Sequence, residues 1–152
     1  MALIELKNTE KIYDDGEVKT PALRGISFKI ERGEFVAIMG PSGSGKSTLL
    51  QMLGFLDLPT AGDYIFDGKS FWDYSADEIA ALRNRKMGFI FQMFNLLPRT
   101  SVLENVKLPL LYSDTPESEW NDLATKAIEE VGLSHRIRHE TSQLSGGERQ
   151  RV

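Results

Sequence analysis

The alternation of apolar and polar residues predicts strands in the first part of the chain. Leu3–Leu6 and Ile12–Tyr13 have the composition of short strands, and Ile26–Ile30 alternates strictly, as expected of a half-buried antiparallel strand. Phe35–Met39 is apolar throughout, which is typical of a parallel strand covered on both faces. The pattern therefore predicts an antiparallel edge layer followed by a core strand.

Helical spacing begins after this core strand. Thr48–Phe55 is predicted to be a helix, which the turn-forming cluster Leu58–Gly62 ends. The strand-like run Tyr64–Phe66 is followed by Asp67-Gly68, a dipeptide that favours a tight hairpin. The chain is thus expected to return from helix to strand before residue 70.

Three serine–glutamate pairs have the spacing of a capping box, in which serine and glutamate each accept a hydrogen bond from the other's backbone amide. The pairs are Ser75 with Glu78, Ser101 with Glu104, and Ser145 with Glu148. The first predicts a helix to about Lys86, and the second predicts a helix that Pro109 bends or stops. The third predicts a helix that is still in progress at Val152.

A second apolar strand and a longer helix lie between these pairs. Met87–Phe91 is the predicted strand, and Gln92 follows it directly. Thr115-Pro116 has the composition of an N-cap followed by the first helical residue, and Gly132 is placed to end the same helix. The apolar stripe between them is Trp120, Leu123, Ala124, Ala127, Ile128 and Val131.

Composition excludes some classes of protein. The chain has 152 residues, a formal net charge of −4 and no cysteine. Disulfides, thiolate zinc sites and cysteine nucleophiles are therefore excluded, and the acidic balance disfavours nucleic acid as a partner. His135 and His139 stand in a polar stretch without acidic partners at ligand spacing, so we expect them to face solvent or cap a turn rather than bind metal.

The segment Gly40–Thr48, called the phosphate loop below, fits G-x-x-x-x-G-K-[ST] between a predicted strand and a predicted helix. Its glycines let backbone amides converge on an anion, and the helix start adds a positive dipole end. Lys46 is predicted to contact the β- and γ-phosphates, Ser47 to ligate Mg²⁺ and Thr48 to contact the α-phosphate. The remaining residues of the cradle are Gly40, Ser42, Gly43, Ser44 and Gly45. The alternative is a Gly/Ser-rich turn without a ligand.

The phosphate loop alone is shared by small GTPases, kinases and helicases. Gln92 after its strand and Leu144–Glu148 (Leu-Ser-Gly-Gly-Glu, the signature segment below) narrow the choice. Together they resemble the nucleotide-binding subunits of ATP-binding-cassette (ABC) transporters, over essentially the whole chain. Pro41–Leu50, Gly88–Gln92 and Leu144–Val152 are similar to the subfamily that serves macrolide exporters and lipoprotein-release complexes.

The resemblance implies ATP and Mg²⁺ as ligands. It implies that Tyr13 stacks on adenine, that Gln92 approaches Mg²⁺ and the attacking water, and that the signature segment closes over a partner's ATP. Lys46 and Gln92 are then the catalytic residues, and Ser47 and Gln92 the metal ligands. The signature residues that bind nucleotide would be Ser145, Gly146 and Gly147. The alternatives are a packed strand-end tyrosine, a surface glutamine and a capped helix start.

The resemblance also implies an α/β phosphate-loop NTPase fold with an N-terminal antiparallel β layer and a helical subdomain. The expected parts are the β layer with the phosphate-loop core (1–74), a core strand with the Gln92 loop and helical subdomain (75–148), and the signature region (144–152). The implied partners are a second nucleotide-binding subunit, paired head to tail, and membrane permease subunits. The implied location is the cytoplasmic face of the cell membrane.

In the family, an aspartate, a glutamate and a histidine that serve hydrolysis follow the signature helix. We therefore expect this chain to be part of a longer subunit, with an incomplete core sheet, weakened nucleotide affinity and little hydrolysis alone. Two alternatives remain open. One is a soluble cassette protein of DNA repair or translation, which usually shows duplicated cassettes or basic arms, and the other is a catalytically inactive ATP-binding fragment.

Overall fold

The computed structural model describes residues 2–152, which divide into two compact units, the first ending at Arg83 and the second running from Asn84 to Val152. The first unit carries the sheet and the phosphate loop, and the second carries Gln92 and the signature segment. No helix within residues 2–152 combines the length and the apolar character needed to cross a bilayer.

The first unit is built on a four-stranded antiparallel sheet, which confirms the predicted antiparallel layer. The strand order is β2-β1-β3-β4. The strands are β1 (Ala2–Asp14), β2 (Lys19–Glu31), β3 (Ala61–Phe66) and β4 (Lys69–Ser70). The prediction of two short strands before residue 14 is wrong, because β1 is continuous. Its pairing with β2 shifts register between Leu6 and Thr9, where Asn8 has φ 46°, and this irregularity interrupts the alternation on which the prediction depended.

The predicted hairpin between β3 and β4 is confirmed. Asp67 and Gly68 both have positive φ, 51° and 82°, as the tight turn requires. Gly62, near the start of β3, serves a different purpose. A Cβ at Gly62 would lie 2.2 Å from the carbonyl oxygen of Asn8, so β1 and β3 approach closely only because this residue has no side chain.

Aromatic packing connects the sheet to α1 (Lys46–Leu53). The ring of Phe55, just after the helix, lies 5.1 Å from that of Tyr64 and 5.3 Å from that of Phe66. The Tyr64 hydroxyl donates to the carbonyl of Leu53 at 2.8 Å, and burial raises the pKa of Tyr64. Each buried aromatic side chain contributes about 1.5–3 kcal/mol. The cluster therefore fixes the C-terminal end of α1 against β3.

The helix α2 (Ala76–Lys86) begins at the predicted capping box. The amide of Glu78 donates to the Ser75 hydroxyl oxygen at 3.2 Å, and the amide of Ser75 donates to the Glu78 carboxylate at 2.8 Å. Both bonds of the motif are thus present, and they account for the start of the helix where the sequence predicted it.

The second unit contains α3 (Val102–Lys107), α4 (Glu117–Glu130) and α5 (Gly146–Arg151), joined by short 3-10 turns. Its core comprises Val102, Ile128, Leu133 and Leu144. Gly132, at φ 72°, confirms the predicted end of α4. Its amide donates to the Glu129 carbonyl and that of Leu133 donates to the Ile128 carbonyl, both at 2.9 Å, which is a Schellman motif.

Two of the predicted helix starts need correction. The Ser101 hydroxyl accepts from the amide of Glu104 at 3.2 Å, but the Glu104 carboxylate accepts from Lys107 at 3.0 Å, so only one bond of this capping box forms. An oppositely charged side chain one turn away competes with the backbone amide. Thr115 is not the N-cap of α4, because Pro116 takes that position and the helix begins at Glu117.

The apolar stripe of α4 is only partly buried. Ala124 and Ile128 are buried, whereas Leu123 and Val131 are 44% and 39% exposed. Spacing along a helix identifies a face, but the width of the surface packed against that face decides how much of it is covered.

The two all-apolar strands predicted at residues 35–39 and 87–91 are not formed. These residues lie outside the four named strands, and within residues 2–152 no strand pairs with them. Phe35, Met39 and Ile90 are 95%, 88% and 93% exposed. A strand needs a hydrogen-bonded neighbour, and an apolar sequence without one remains extended and unpaired. The expectation of an incomplete core sheet is thus in keeping with the structure.

A comparison of two glycines tests the close approach of β1 and β3. Gly68→Ala places a Cβ in open space and should destabilise the protein by about 1–2 kcal/mol through left-handed strain alone. Gly62→Ala adds a backbone clash and should cost at least about twice as much. The measurement is urea unfolding followed by circular dichroism, and equal midpoints for the two variants would contradict the assignment.

Candidate functional site

The phosphate loop is shaped by close backbone approaches in the first unit. Gly43 and Gly45 have φ 79° and 85°, a conformation that side chains disfavour. A Cβ at Gly45 would lie 2.5 Å from the carbonyl oxygen of Ala22 on β2, whereas one at Gly43 would meet nothing within 4 Å. The missing side chain of Gly45 therefore lets the loop pack closely against β2, whereas the space beside Gly43 is open.

The N-terminus of α1 differs from those of the other α-helices in residues 2–152 in the charge of its first turn. Its N-cap is Gly45, so no side chain accepts from the first-turn amides, and the first turn has no acidic residue. In contrast, each of α2, α3, α4 and α5 has at least one acidic residue in its first turn. The amides and the positive dipole end of α1 are consequently available to an external anion.

Lys46, the first residue of α1, folds back over the loop. Its Nζ donates to the carbonyl of Gly40 at 3.0 Å and to that of Pro41 at 2.7 Å, and it lies 3.5 Å from the Ser44 hydroxyl oxygen. These contacts hold a positive charge at the rim of a loop that already offers backbone donors. The donor set of the loop therefore fits a phosphate group.

The hydroxyl residues of the loop have different surroundings. Ser42 and Ser47 are exposed, whereas Thr48 is half-buried. The Thr48 side chain lies near enough to the Tyr13 hydroxyl to lower the pKa of that tyrosine, which places Tyr13 at the end of the phosphate loop. Two elements that the sequence placed more than thirty residues apart thus meet within the first unit.

Tyr13 is held by its hydroxyl and is partly exposed. The hydroxyl donates to Asp57 Oδ2 at 2.7 Å, and the residue is 41% exposed. The pKa of Tyr13 is raised by this bond and by partial burial, against the opposing effect of Thr48. Burial disfavours the charge of Asp57, but hydrogen bonds from Lys11, Tyr13 and the Leu58 amide lower its pKa overall. Tyr13 therefore stays a donor and Asp57 an anion.

Gln92 lies in the second unit and is exposed. It borders a groove of about 410 Å³. The other residues that line this groove are Met93, Phe94, Asn95, Leu96, Pro98, Thr141, Ser142 and Arg149. Two contacts join α5 to residues 91–94, which flank Gln92. Gln150 Nε2 donates to the carbonyl of Phe91 at 3.2 Å, and the Arg149 guanidinium lies 5.2 Å from the ring centroid of Phe94.

The signature segment starts α5 with a complete capping box, as predicted. Ser145 Oγ accepts from the Glu148 amide at 3.3 Å, and the Ser145 amide donates to Glu148 Oε2 at 2.8 Å. Arg136 Nε donates to Glu148 Oε1 at 2.9 Å. These hydrogen bonds lower the pKa of Glu148 to about 2, and the bonds with Ser145 have a larger effect than the bond with Arg136. Ser145, Gly146 and Gly147 are exposed.

Sequence reasoning missed three residues around these sites. Lys11 and Asp57 contact Tyr13, and Arg136 contacts Glu148. Lys11 and Asp57 are 46 positions apart, so no sequence spacing could have linked them. His135 is exposed, as expected, and His139 Nε2 lies 3.2 Å from Arg136. Residues 2–152 contain no group of three acidic, histidine or cysteine side chains that could hold a metal.

The fold and the phosphate loop together define an α/β phosphate-loop protein. Residues 23–152 match the family described as ABC transporter, and the chain belongs to that family. Tyr13 and the phosphate loop lie in the first unit, and Gln92 and the signature segment lie in the second.

Relatives and solved structures agree with this assignment. The chain is 51% identical over 150 residues to the macrolide export ATP-binding/permease protein MacB of Bdellovibrio bacteriovorus, covering 99% of this chain and 23% of the relative. It is also 51% identical to an uncharacterised ABC transporter ATP-binding protein of Thermotoga maritima, of which it spans 64%. A dimeric bacterial ABC transporter cassette superposes with a TM-score of 0.85 at 43% identity, over 97% of this chain and 66% of that one.

The interaction of Glu148 with Arg136 can be tested by titration. The folded-state pKa of Glu148, about 2, lies below its ordinary value of 4.5, so its stabilising effect is full above pH 4.5 and is lost as the pH falls toward 2. Arg136→Gln should raise this pKa only part of the way, because the bonds with Ser145 remain. Carboxyl-detected NMR measures it, and Arg138→Gln is the matched control. An unchanged pKa in Arg136→Gln would contradict the assigned contact.

Proposed function

We propose that this chain is the nucleotide-binding part of an ABC transporter ATPase and binds Mg-ATP at the phosphate loop. The observation that carries the proposal is the uncapped start of α1, directly behind a glycine-rich loop with Lys46 at its rim. Every other α-helix start in residues 2–152 has an acidic side chain to balance its dipole. A polyphosphate would supply the missing negative charge.

The roles of the loop residues follow from their chemistry. The amides of the cradle residues (Gly40, Ser42, Gly43, Ser44 and Gly45) would bind phosphate oxygens, and Lys46 would add a point charge toward the β- and γ-phosphates. The exposed Ser47 hydroxyl would ligate Mg²⁺, which would neutralise phosphate charge, and Thr48 would contact the α-phosphate. Tyr13, which is partly exposed, would stack its ring on the adenine base.

Lys46 and Gln92 are the proposed catalytic residues. Lys46 would stabilise charge on the transferring phosphate, and Gln92 would approach Mg²⁺ and the attacking water. ATP hydrolysis coupled to transport is the proposed reaction, and binding of Mg-ATP at the phosphate loop is its first step.

The proposed assembly is a head-to-tail dimer on membrane permease subunits, at the cytoplasmic face of the membrane. Support comes from the similar cassette that was solved as a dimer and from the relative named as an export ATP-binding/permease protein. In this dimer Ser145, Gly146 and Gly147 would face the partner's ATP, and the Gln92 loop would report to the permease. Export or lipoprotein release is the proposed process, and nucleic acid is not a proposed partner.

Calorimetric titration with Mg-ATP tests the proposed site. Lys46→Ala should weaken binding at least about tenfold, because a charge-assisted hydrogen bond to phosphate is lost. Lys19→Ala, which removes an exposed lysine paired with Asp14 at 3.5 Å, is the control and should bind as the native chain does.

Two results would contradict the proposal. The first is equal affinity for Mg-ATP in the native chain and in Lys46→Ala, and the second is the absence of binding in both. Circular dichroism of each variant shows whether the fold is kept, so that a folding defect is not mistaken for loss of a ligand contact.

A further inference from the structure

We propose that Asp57, held in place by Lys11, is a positioning residue for Tyr13 and fixes the ring for stacking on the nucleotide base. This inference rests on the proposed function of the phosphate loop. It assigns a role in nucleotide binding to two residues that lie outside every motif identified in the sequence. All the residues involved belong to the first unit.

Asp57 joins Tyr13 and Lys11 through its two carboxylate oxygens. Oδ2 accepts from the Tyr13 hydroxyl at 2.7 Å, and Oδ1 accepts from Lys11 Nζ. Oδ1 also accepts from the amide of Leu58 at 2.7 Å, which fixes the orientation of the carboxylate. A carboxylate with donors on both oxygens offers the tyrosine hydroxyl one direction in which to point.

Lys11 makes this arrangement rigid because its charge is buried. The residue is 9% exposed, and its Nζ donates to the Leu58 carbonyl at 2.8 Å as well as to Asp57. Breaking a buried ion pair leaves an uncompensated charge, so the ammonium keeps its partners. Its position is thus tied to that of the carboxylate.

The same ammonium lies 4.9 Å from the centroid of the Tyr13 ring. A cation at that distance is attracted to the face of the ring and excludes other partners from it. Tyr13 is nevertheless 41% exposed, so the side of the ring turned away from Lys11 is the one left for a flat ligand. Lys11 and Asp57 together therefore fix both the position of the ring and the face that it offers.

The ring also lies beside the phosphate loop. The side chain of Thr48, the last residue of that loop, is near enough to the Tyr13 hydroxyl to lower the pKa of the tyrosine. Binding a ligand to a mobile side chain costs conformational entropy, and a side chain fixed beforehand avoids that cost. The cluster of Lys11, Asp57, Tyr13 and Thr48 would thus prepare a base-stacking surface beside the triphosphate site.

A purely structural role for this cluster, joining the α1–β3 connection to β1, is the alternative. Other bonds already make that connection. The Thr60 amide donates to the Glu10 carbonyl at 2.8 Å, and the Ile12 amide donates to Thr60 Oγ1 at 3.2 Å. Removing the tyrosine hydroxyl should therefore leave the fold intact and change only the position of the ring.

The test compares Mg-ATP with inorganic tripolyphosphate, which has no base, by calorimetry. Tyr13→Phe keeps the ring and loses the bonds of its hydroxyl, so its affinity for Mg-ATP should fall about three- to tenfold. Its affinity for tripolyphosphate should change much less, because the loop amides and Lys46, which would hold most of the phosphate charge, are not altered. Tripolyphosphate binding also reports that the loop is folded.

A double-mutant cycle tests whether Asp57 acts through Tyr13. Asp57→Asn should weaken Mg-ATP binding in the native background. The substitution removes a negative charge, and that charge both holds Lys11 and strengthens the hydrogen bond from the Tyr13 hydroxyl. In the Tyr13→Phe background the same change should have little further effect, because the hydroxyl through which Asp57 acts is gone.

Tyr74→Phe is the matched control. Tyr74 also lies in the first unit, its hydroxyl donates to the Phe66 carbonyl at 3.2 Å, and Lys69 Nζ lies 4.2 Å from its ring centroid. The variant removes the same atom from a similar lysine–tyrosine pair whose hydroxyl donates to β3. Its affinity for Mg-ATP should match that of the native chain.

The outcomes separate this inference from the proposed function. If the native chain binds Mg-ATP and Lys46→Ala does not, unchanged Mg-ATP affinity in Tyr13→Phe overturns the inference alone. The inference is also overturned if Tyr13→Phe loses affinity for Mg-ATP and for tripolyphosphate equally. Additive effects of Tyr13→Phe and Asp57→Asn in the double-mutant cycle overturn it as well. If the native chain binds neither ligand, the proposed function fails and this inference fails with it.

Discussion

The start of α1 is held open by its surroundings, and the first unit is organised around that constraint. A helix start normally satisfies its free amides with a capping side chain and balances its dipole with a carboxylate. Gly45 can do neither, and its close approach to Ala22 on β2 leaves no room for a side chain that could. The packing of Phe55 against β3 then holds the other end of the helix. The fold thus keeps a helix start with a positive dipole end in place without neutralising it.

The signature segment shows the opposite solution in the second unit. Ser145 and Glu148 satisfy each other's amides, and Arg136 neutralises the carboxylate that results. This arrangement needs no ligand to complete it, whereas the phosphate loop leaves donors free. The contrast explains why the phosphate loop carries the proposed nucleotide site more directly than the signature segment does, even though both begin helices with glycine and serine.

Some features could be predicted because their physics is local. The complete capping boxes at Ser75 and Ser145, the turn at Asp67-Gly68 and the end of α4 at Gly132 all depend on residues within about six positions of one another. The predicted strands failed for the converse reason. Residues 35–39 and 87–91 have the right composition, but a strand exists only where a neighbour supplies hydrogen bonds.

By itself, the sequence determined the phosphate loop, the antiparallel layer and the family, because glycine spacing, alternation and short motifs express backbone requirements directly. Only the tertiary structure decided that β1 is one irregular strand and that Lys11 and Asp57 surround Tyr13. Those contacts join residues about 45 positions apart. Their formation depends on how the α1–β3 connection packs against β1, and no local pattern encodes that packing.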